Sequence, residues 1–280
     1  MISAKVKEKI GFTALLCATL VVVIPVLLIV WLIIKRGWSA MSWEFIFSMP
    51  RNGMREGGIF PAIVGTFYLV FGAIVFSLPI GVMAAIYLNE YAQQNLLTRI
   101  INLAIINLAG VSSVVYGLFG LSLFVVFLNF GVSILSGSLT LGIMTLPVII
   151  TTTREALRTV PHSYREVSLS LGASKWQTIR HAVLPFSLAG IITGTILSIG
   201  RVAGETAPIL FTVAAFYLPN LPRSIFDQAM ALPYHLYIIS TQIPHIREDF
   251  RYGTALILVV LVLVMNICAT LIRAQYRKKR

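Results

Sequence analysis

Long stretches without a charged residue set the pattern of this chain. Ile10–Ile34, Gly57–Asn89, Ile100–Thr153 and Tyr252–Ile272 contain no Asp, Glu, Lys, Arg or His, and His181–Gly200 has only its histidine. A helix that crosses the hydrocarbon core of a bilayer needs about 20 apolar residues. The run from Ile100 to Thr153 is long enough for two, with a break expected near Asn129-Phe130-Gly131. The pattern predicts an all-α membrane protein with six transmembrane helices in a single transmembrane domain over 1–280. The expected spans are about 11–34, 62–88, 101–128, 132–153, 186–210 and 253–273. The first is too long for a signal-peptide core, and no A-x-A-like site closes it. Leu15-Leu16 before Cys17 is also wrong for lipoprotein cleavage, so this span is expected to stay as a membrane helix. Gln228–Ile246 lacks Lys, Arg, Asp and Glu, but Pro233, His235, Gln242, Pro244 and His245 interrupt it. A seventh span there would put the basic tail outside, so 211–252 reads as an external loop with a partly embedded or amphipathic segment.

Composition excludes a soluble chain. Hydrophobic residues make up 58% and charged residues only 11%, against roughly 25% charged in an ordinary globular domain. The net charge of +12 then reports orientation, because Lys and Arg gather on the cytoplasmic side. With both termini inside, the cytoplasmic segments hold Lys5, Lys7, Lys9, Arg99, Arg154, Arg158, Arg165, Lys175, Arg180, Arg273, Arg277, Lys278, Lys279 and Arg280. The external segments hold half as many: Lys35, Arg36, Arg51, Arg55, Arg223, Arg247 and Arg251. This predicts a multi-pass membrane protein with cytoplasmic termini. It leaves no single basic face for nucleic acid; the expected surroundings are membrane lipid. Cys17 and Cys268 lie in apolar runs and read as small buried hydrophobes.

The cytoplasmic loop 154–185 is heavily punctuated. Pro161 is expected to end the extension of the fourth span, and Ser163-Tyr164-Arg165-Glu166 reads as a capping box. Gly172 is placed to stop that short helix with a left-handed residue. Ser174-Lys175-Trp176-Gln177 reads as a second capping box, and Leu184-Pro185 as the end of the second helix. Two short helices joined by a sharp turn, with an exposed Trp176, form either a plain surface hairpin or a docking element.

The fifth span carries Gly190, Gly194, Ser198, Arg201 and Glu205. On an ideal helix these five fall within a stripe of about 80°. Its small-x-x-x-small start lets another helix approach closely. Ionisable groups at membrane depth cost about 2.5–3.5 kcal/mol each on insertion scales, so they face a cavity or a partner. Arg201 and Glu205 are therefore either an intramembrane salt bridge that fixes packing or part of a substrate pathway. Arginine offers a planar donor fork suited to an oxyanion. Glutamate can accept the P–OH proton that phosphate keeps near neutral pH and sulfate lacks.

Glu166-Val167-Ser168, Gly172 and Leu184-Pro185 resemble the "EAA" loop of ABC-importer permeases, with Val167 and Ser168 in place of the two alanines and Ala182 at the isoleucine position. Glu56-Gly57-Gly58-Ile59-Phe60-Pro61-Ala62-Ile63-Val64-Gly65-Thr66 and Arg201-Val202-Ala203-Gly204-Glu205-Thr206-Ala207-Pro208 are similar to the PstA family of phosphate-importer permeases, as is Leu232-Pro233 with its aromatic run. The chain departs from that family at the end of the fourth span, where R-T-T-E is common and Thr151-Thr152-Thr153-Arg154-Glu155 stands here. The resemblance implies a type I ABC importer permease with loop 154–185 as its coupling helix, docked through Glu166, Gly172, Trp176, Leu184 and Pro185 on an ATPase subunit. It implies a homologous PstC-like permease, a PstB-like ATPase dimer and a PstS-like external phosphate-binding protein as partners, with Arg201 and Glu205 on the substrate pathway. No cofactor is expected on this chain; ATP and Mg belong to the ATPase, since no G-x-x-x-x-G-K-[ST] occurs. No catalytic residue or metal site is expected either: His162, His181, His235 and His245 lack ligand spacing, and no nucleophile–base set appears. Permeases for sulfate, molybdate or phosphonate share the same pattern, and a proton-coupled secondary transporter using Glu205 is the remaining alternative.

Overall fold

The computed structural model describes residues 4–244 and 246–278; His245, Lys279 and Arg280 lie outside the described residues. In chain order the elements are α1 (Ala4–Gly37), α2 (Trp43–Phe47), a short hairpin of β1 (Pro50–Arg51) and β2 (Glu56–Gly57), α3 (Phe60–Ile86), α4 (Leu96–Ala109), α5 (Ser113–Gly120), α6 (Ile134–Arg158), α7 (His162–Ser170), α8 (Lys175–Thr178), α9 (Leu184–Gly204), α10 (Ala207–Thr212), α11 (Leu232–Thr241) and α12 (Glu248–Lys278). π-helical turns extend α3 to Tyr91 and α5 to Phe127, and a third joins α8 to α9. Five helical segments are long and apolar enough to cross a membrane, and the bent pair α4–α5 makes a sixth if counted as one span.

That bent pair corrects the third expected span. Residues 101–128 are not one helix: α4 and α5 meet at 105° across Gly110-Val111-Ser112. No proline marks the bend, and apolarity runs straight through it. The available signal was Gly110 followed by Ser112-Ser113, a helix stop beside a helix start. The bend is held by Tyr116, whose hydroxyl donates to the Leu108 carbonyl at 2.9 Å. The break near Asn129-Phe130-Gly131 is present, with φ of 53° at Asn129 and 67° at Gly131.

The fifth span differs at both ends. Pro185 does not end a helix: Lys175–Gly204 runs on as one helical segment. Proline lacks an N–H and crowds the carbonyl four residues back, and the π-helical turn Ile179–Val183 lies just where that crowding falls. At the other end the helix stops at Gly204, short of the expected 210. Pro208 would crowd the Gly204 carbonyl in the same way, so Glu205 turns extended (φ −73°, ψ 134°) and α10 restarts at Ala207.

α3, α6 and α9 form the centre, packed at glycines. A Cβ on Gly81 of α3 would sit 2.6 Å from Ile149 Cγ2 of α6, and one on Gly142 would meet the ring of Phe76 at the same distance. Two buried clusters result. The larger joins Phe45, Met54, Ile59, Leu69, Met144, Val213, Leu232 and Phe250 at the expected external side. The smaller joins Ala85, Leu88, Leu157, Val160, Ile179 and Val183 at the expected cytoplasmic side. α1 reaches the rest through the start of α12, where Arg36 and Glu248 pair at 3.0 Å, and its apolar residues otherwise face outward.

The Glu56–Thr66 stretch earns its glycines here. Gly57 sits at φ +85°. A Cβ on Gly58 would come within 2.7 Å of three carbonyls, and one on Gly65 would strike the Met230 carbonyl. Thr66 Oγ1 accepts the Leu232 N–H at 2.8 Å, so this motif seats the start of α11 on α3. α11, in the expected external loop, is ten residues long and buried along Leu232, Pro233, Tyr234, His235, Ile238 and Ile239. Ten residues rise only about 15 Å, too little to cross the membrane.

Candidate functional site

The small-residue start of the α9 stripe is a packing seam. Cβ atoms on Gly190 and Gly194 would collide with Ala156 and Thr152 of α6. Ser198 is fully buried, its hydroxyl donating to the Gly194 carbonyl at 3.0 Å. One turn further along, Arg201 and Glu205 form an ion pair, Nε to Oε1, at 3.5 Å. Glu205 is the C-cap of α9: its φ of −73° is still helical and its N–H donates to the Val202 carbonyl, so its carboxylate keeps the expected i,i+4 reach to Arg201. The extended ψ of 134° turns only the chain that follows Glu205, toward α10. The Arg201 side chain keeps 35% of its exposure and that of Glu205 17%. A long ion pair with an accessible guanidinium leaves donors for a further anion, which a closed bidentate pair would not.

In the second expected site, loop 154–185, α7 is a short helix, and α8 is the first turn of the long segment Lys175–Gly204. Gly172 has φ +82°, the Gly172 N–H donates to Leu169 and the Ala173 N–H to Ser168. These are the two bonds of a Schellman stop. Ser174 and Gln177 make the reciprocal capping box: the Gln177 N–H donates to Ser174 Oγ at 3.3 Å, and the Ser174 N–H to Gln177 Oε1 at 2.8 Å. The other expected capping box is absent. Pro161, not Ser163, precedes α7, and no side chain caps it. Proline is already preset for a helix entry, and the Pro161 carbonyl takes the Tyr164 N–H.

Glu166 and Trp176 are exposed, with Tyr164, Val167, Leu169 and Leu171. An apolar groove of about 390 Å³ runs between Tyr164, Val167, Leu171 and Ala182. Leu184 and Pro185 lie instead in the helix leading into α9, partly buried, with Leu184 against the cytoplasmic cluster.

One long-range contact escaped sequence reasoning. Arg165 reaches back to Glu90 at the end of the α3 segment, Nη2 to Oε1 at 2.7 Å and Nε to Oε2 at 3.2 Å. It also donates to the carbonyls of Val160 and Leu157. The pair is largely buried and anchors α7 to the membrane helices. A lone Glu90 in an otherwise uncharged run was the available signal. Lys175 adds a second tie, its Nζ lying 4.8 Å from the centre of the Tyr91 ring.

Residues 77–280 match the family of binding-protein-dependent transport system inner membrane components. The chain belongs to that family. This permease is 36% identical to the probable ABC transporter permease protein YqgI of Bacillus subtilis over 278 residues, 94% of each chain. It is 34% identical to the phosphate transport system permease protein PstA 1 of Mycobacterium tuberculosis, covering 99% of this chain and 90% of that one. The PstA protein of Yersinia pestis is 32% identical over 88% of this chain and 84% of its own length. Among solved structures, a chain of a bacterial alginate ABC transporter in complex with its pentasaccharide-bound periplasmic protein superposes with a TM-score of 0.67 over 95% of this permease at 14% identity. A chain of the MetNI methionine ABC transporter does so at 0.60 over 78%, at 16% identity. The permease therefore has the type I ABC importer fold, and it is a multi-pass inner-membrane protein.

Proposed function

We propose that this permease is one of two membrane-spanning subunits of an ATP-driven phosphate importer. The observation that carries the reading is the Arg201–Glu205 ion pair at the interrupted end of α9, with the Arg201 guanidinium partly accessible and Glu205 largely buried. The PstA proteins, similar over nearly the whole chain, support phosphate as the cargo. Arg201 attracts the anion through its guanidinium fork, and Glu205 accepts the P–OH proton that distinguishes phosphate from sulfate. The chain carries out no bond chemistry and holds no cofactor; ATP and Mg bind a PstB-like ATPase dimer. A PstC-like permease completes the pathway, and a PstS-like protein delivers phosphate from outside.

The exposed apolar side chains of α7 and α8 fit an ATPase groove, and Gly172 sets the turn between them. Nucleotide-driven closure of the ATPase would move this hairpin, and the Arg165–Glu90 tie would pass the movement to α3. Both termini and Trp176 lie in the cytoplasm. With Cys17 and Cys268 replaced, cysteines at Ser39 and Ser224 are expected to react with an impermeant thiol reagent in intact cells, and one at Ser174 is not.

Uptake by the reconstituted complex tests the function. Labelled phosphate should enter vesicles only with ATP and the binding protein, and excess sulfate, molybdate or phosphonate should not compete. Competition by sulfate would reassign the cargo. Uptake driven by a proton gradient without nucleotide would contradict the ATP-driven reading.

A further inference from the structure

A second group of arginines lies at the cytoplasmic ends of α4 and α6. Arg154 Nη1 donates to Asn102 Oδ1 at 2.6 Å, joining the two helices. Arg154 Nε is shielded from solvent and has no acceptor among the described residues. An N–H left unpaired in such a place is costly, more so on a charged group. The adjacent carboxylate does not serve it: Glu155 pairs instead with Arg158 at 3.1 Å, on the exposed side.

Two adjoining cavities lie here, and Arg154 lines the first of them. One of about 280 Å³ is lined by Asn102, Thr151, Arg154, Glu155 and Arg158, with Ile105 and Ile106. The other, about 590 Å³, is lined by Gln94, Asn95, Thr98 and Arg99, and shares Asn102 and Ile106 with the first. Arg154 and Arg158 thus line the first cavity beside the single carboxylate of Glu155, and Arg99 lines the second. With Oδ1 taken by Arg154, the Asn102 amide offers its Nδ2 hydrogens as further donors. A guanidinium with unspent donors, a second amide donor and a net positive rim match the oxygens of a phosphate group.

The cleft is separate from the pair in α9. Thr152 and Ala156 lie against Gly194 and Gly190, which sets Arg154 level with about residue 192 of α9. Arg201 is nine residues further on, roughly 14 Å along the helix.

We infer that the cytoplasmic cleft between α4 and α6 is a phosphate-oxyanion site, built on Arg154 and Asn102 with Arg99 and Arg158 at its rim. Two sources supply that chemistry. One is the headgroup of an anionic lipid, since basic residues at this depth attract such lipids. The other is inorganic phosphate in the cytoplasm.

The test uses the intact importer complex and both probes. Native mass spectrometry measures phosphatidylglycerol retained by the detergent-solubilised complex. Equilibrium binding measures labelled inorganic phosphate on the complex in phosphatidylcholine nanodiscs, without the external binding protein. Arg154→Gln should weaken one probe at least ten-fold, and Arg158→Gln should weaken the same probe. Loss of phosphatidylglycerol alone assigns a lipid site, and loss of inorganic phosphate alone assigns an ion site. Arg201→Gln should leave that binding intact, which separates this cleft from the pathway. Arg158, whose side chain is 56% exposed, carries the test if Arg154→Gln does not assemble. Wild-type binding of both probes by the assembled arginine variants would overturn the inference and leave Arg154 to pair with a neighbouring subunit.

Discussion

Arg165 and Glu90, 75 residues apart in the chain, meet at 2.7 Å and tie the helix α7 to the end of the second membrane segment. Their side chains keep 15% and 9% of their exposure. Removing one member of a buried pair leaves the other charge stranded, at about 3–5 kcal/mol. The carbonyls of Val160 and Leu157 also hold Arg165, which places Glu90→Gln at the lower end of that range. The variant should lose hydrogen-exchange protection over 162–171 and transport fewer phosphates per ATP hydrolysed. Unchanged exchange there would mean that the pair does not anchor α7.

Gly172 separates backbone strain from crowding. Its φ of +82° is strained for any residue with a Cβ, yet a Cβ there would meet nothing within 4 Å. An L-residue in this region costs about 1–2 kcal/mol, and a β-branched one more. Gly172→Asn should stay close to wild type, because Asn tolerates the left-handed region. Gly172→Val should insert normally but recover less ATPase by pull-down and lose transport. Equal behaviour of the two variants would remove the left-handed turn from the docking argument.

Gly194 and Gly204, ten residues apart on α9, predict opposite outcomes for the same added methyl. On Gly194 it would collide with Thr152 of α6, whereas on Gly204 it would meet open space. Overpacking of this kind costs about 1–3 kcal/mol. Gly194→Ala should lower the melting temperature of the purified complex, and Gly204→Ala should leave it nearly unchanged. A stable Gly194→Ala complex would place α9 further from α6 than described.

His235 is the buried histidine of α11, and both its ring nitrogens lack partners among the described residues. Burial pushes its imidazole down to about 4 from the usual 6.5. The folded segment keeps the ring neutral while the unfolded one takes up a proton below about 6.5. Stability is therefore fully present above that pH and falls as pH drops toward 4, by roughly 3 kcal/mol at most. Hydrogen exchange over 232–241, corrected for intrinsic rates, should show protection falling on acidification. His235→Leu should abolish the fall; if the variant loses protection equally, another group is responsible.

Much of this was legible from charge-free runs, because a bilayer demands a length of apolar helix and little else. The glycine stop at 172 and the capping box at Ser174 were legible too, since both are local chemistry. What failed was set by tertiary contact or by backbone strain at a distance. The bend at Gly110–Ser112 interrupts a uniformly apolar segment, so hydropathy had no contrast to register. Pro185 read as a helix end, but a π-helical turn absorbed it, whereas Pro208 lay inside the expected fifth span and the helix stopped four residues before it. Arg201 and Glu205 stood out as charges in an apolar segment, and their i,i+4 spacing holds up to the C-cap of α9. Glu90–Arg165 and Arg154–Asn102 join distant segments, and no spacing rule brings such residues together.

The central claim rests on Arg201 and Glu205, and their double replacement tests it most directly. Each single variant strands a charge, at less than the about 3–5 kcal/mol of a fully buried pair, because Arg201 keeps 35% of its exposure. Replacing both removes that penalty, so Arg201→Gln with Glu205→Gln should assemble with its partners as the wild type does. The decisive measurement is ATP-driven phosphate uptake by that purified double variant in vesicles, with the binding protein supplied. If the pair lines the phosphate path, nucleotide hydrolysis persists while uptake is lost. Uptake at the wild-type rate would contradict the account and leave the pair as a packing contact.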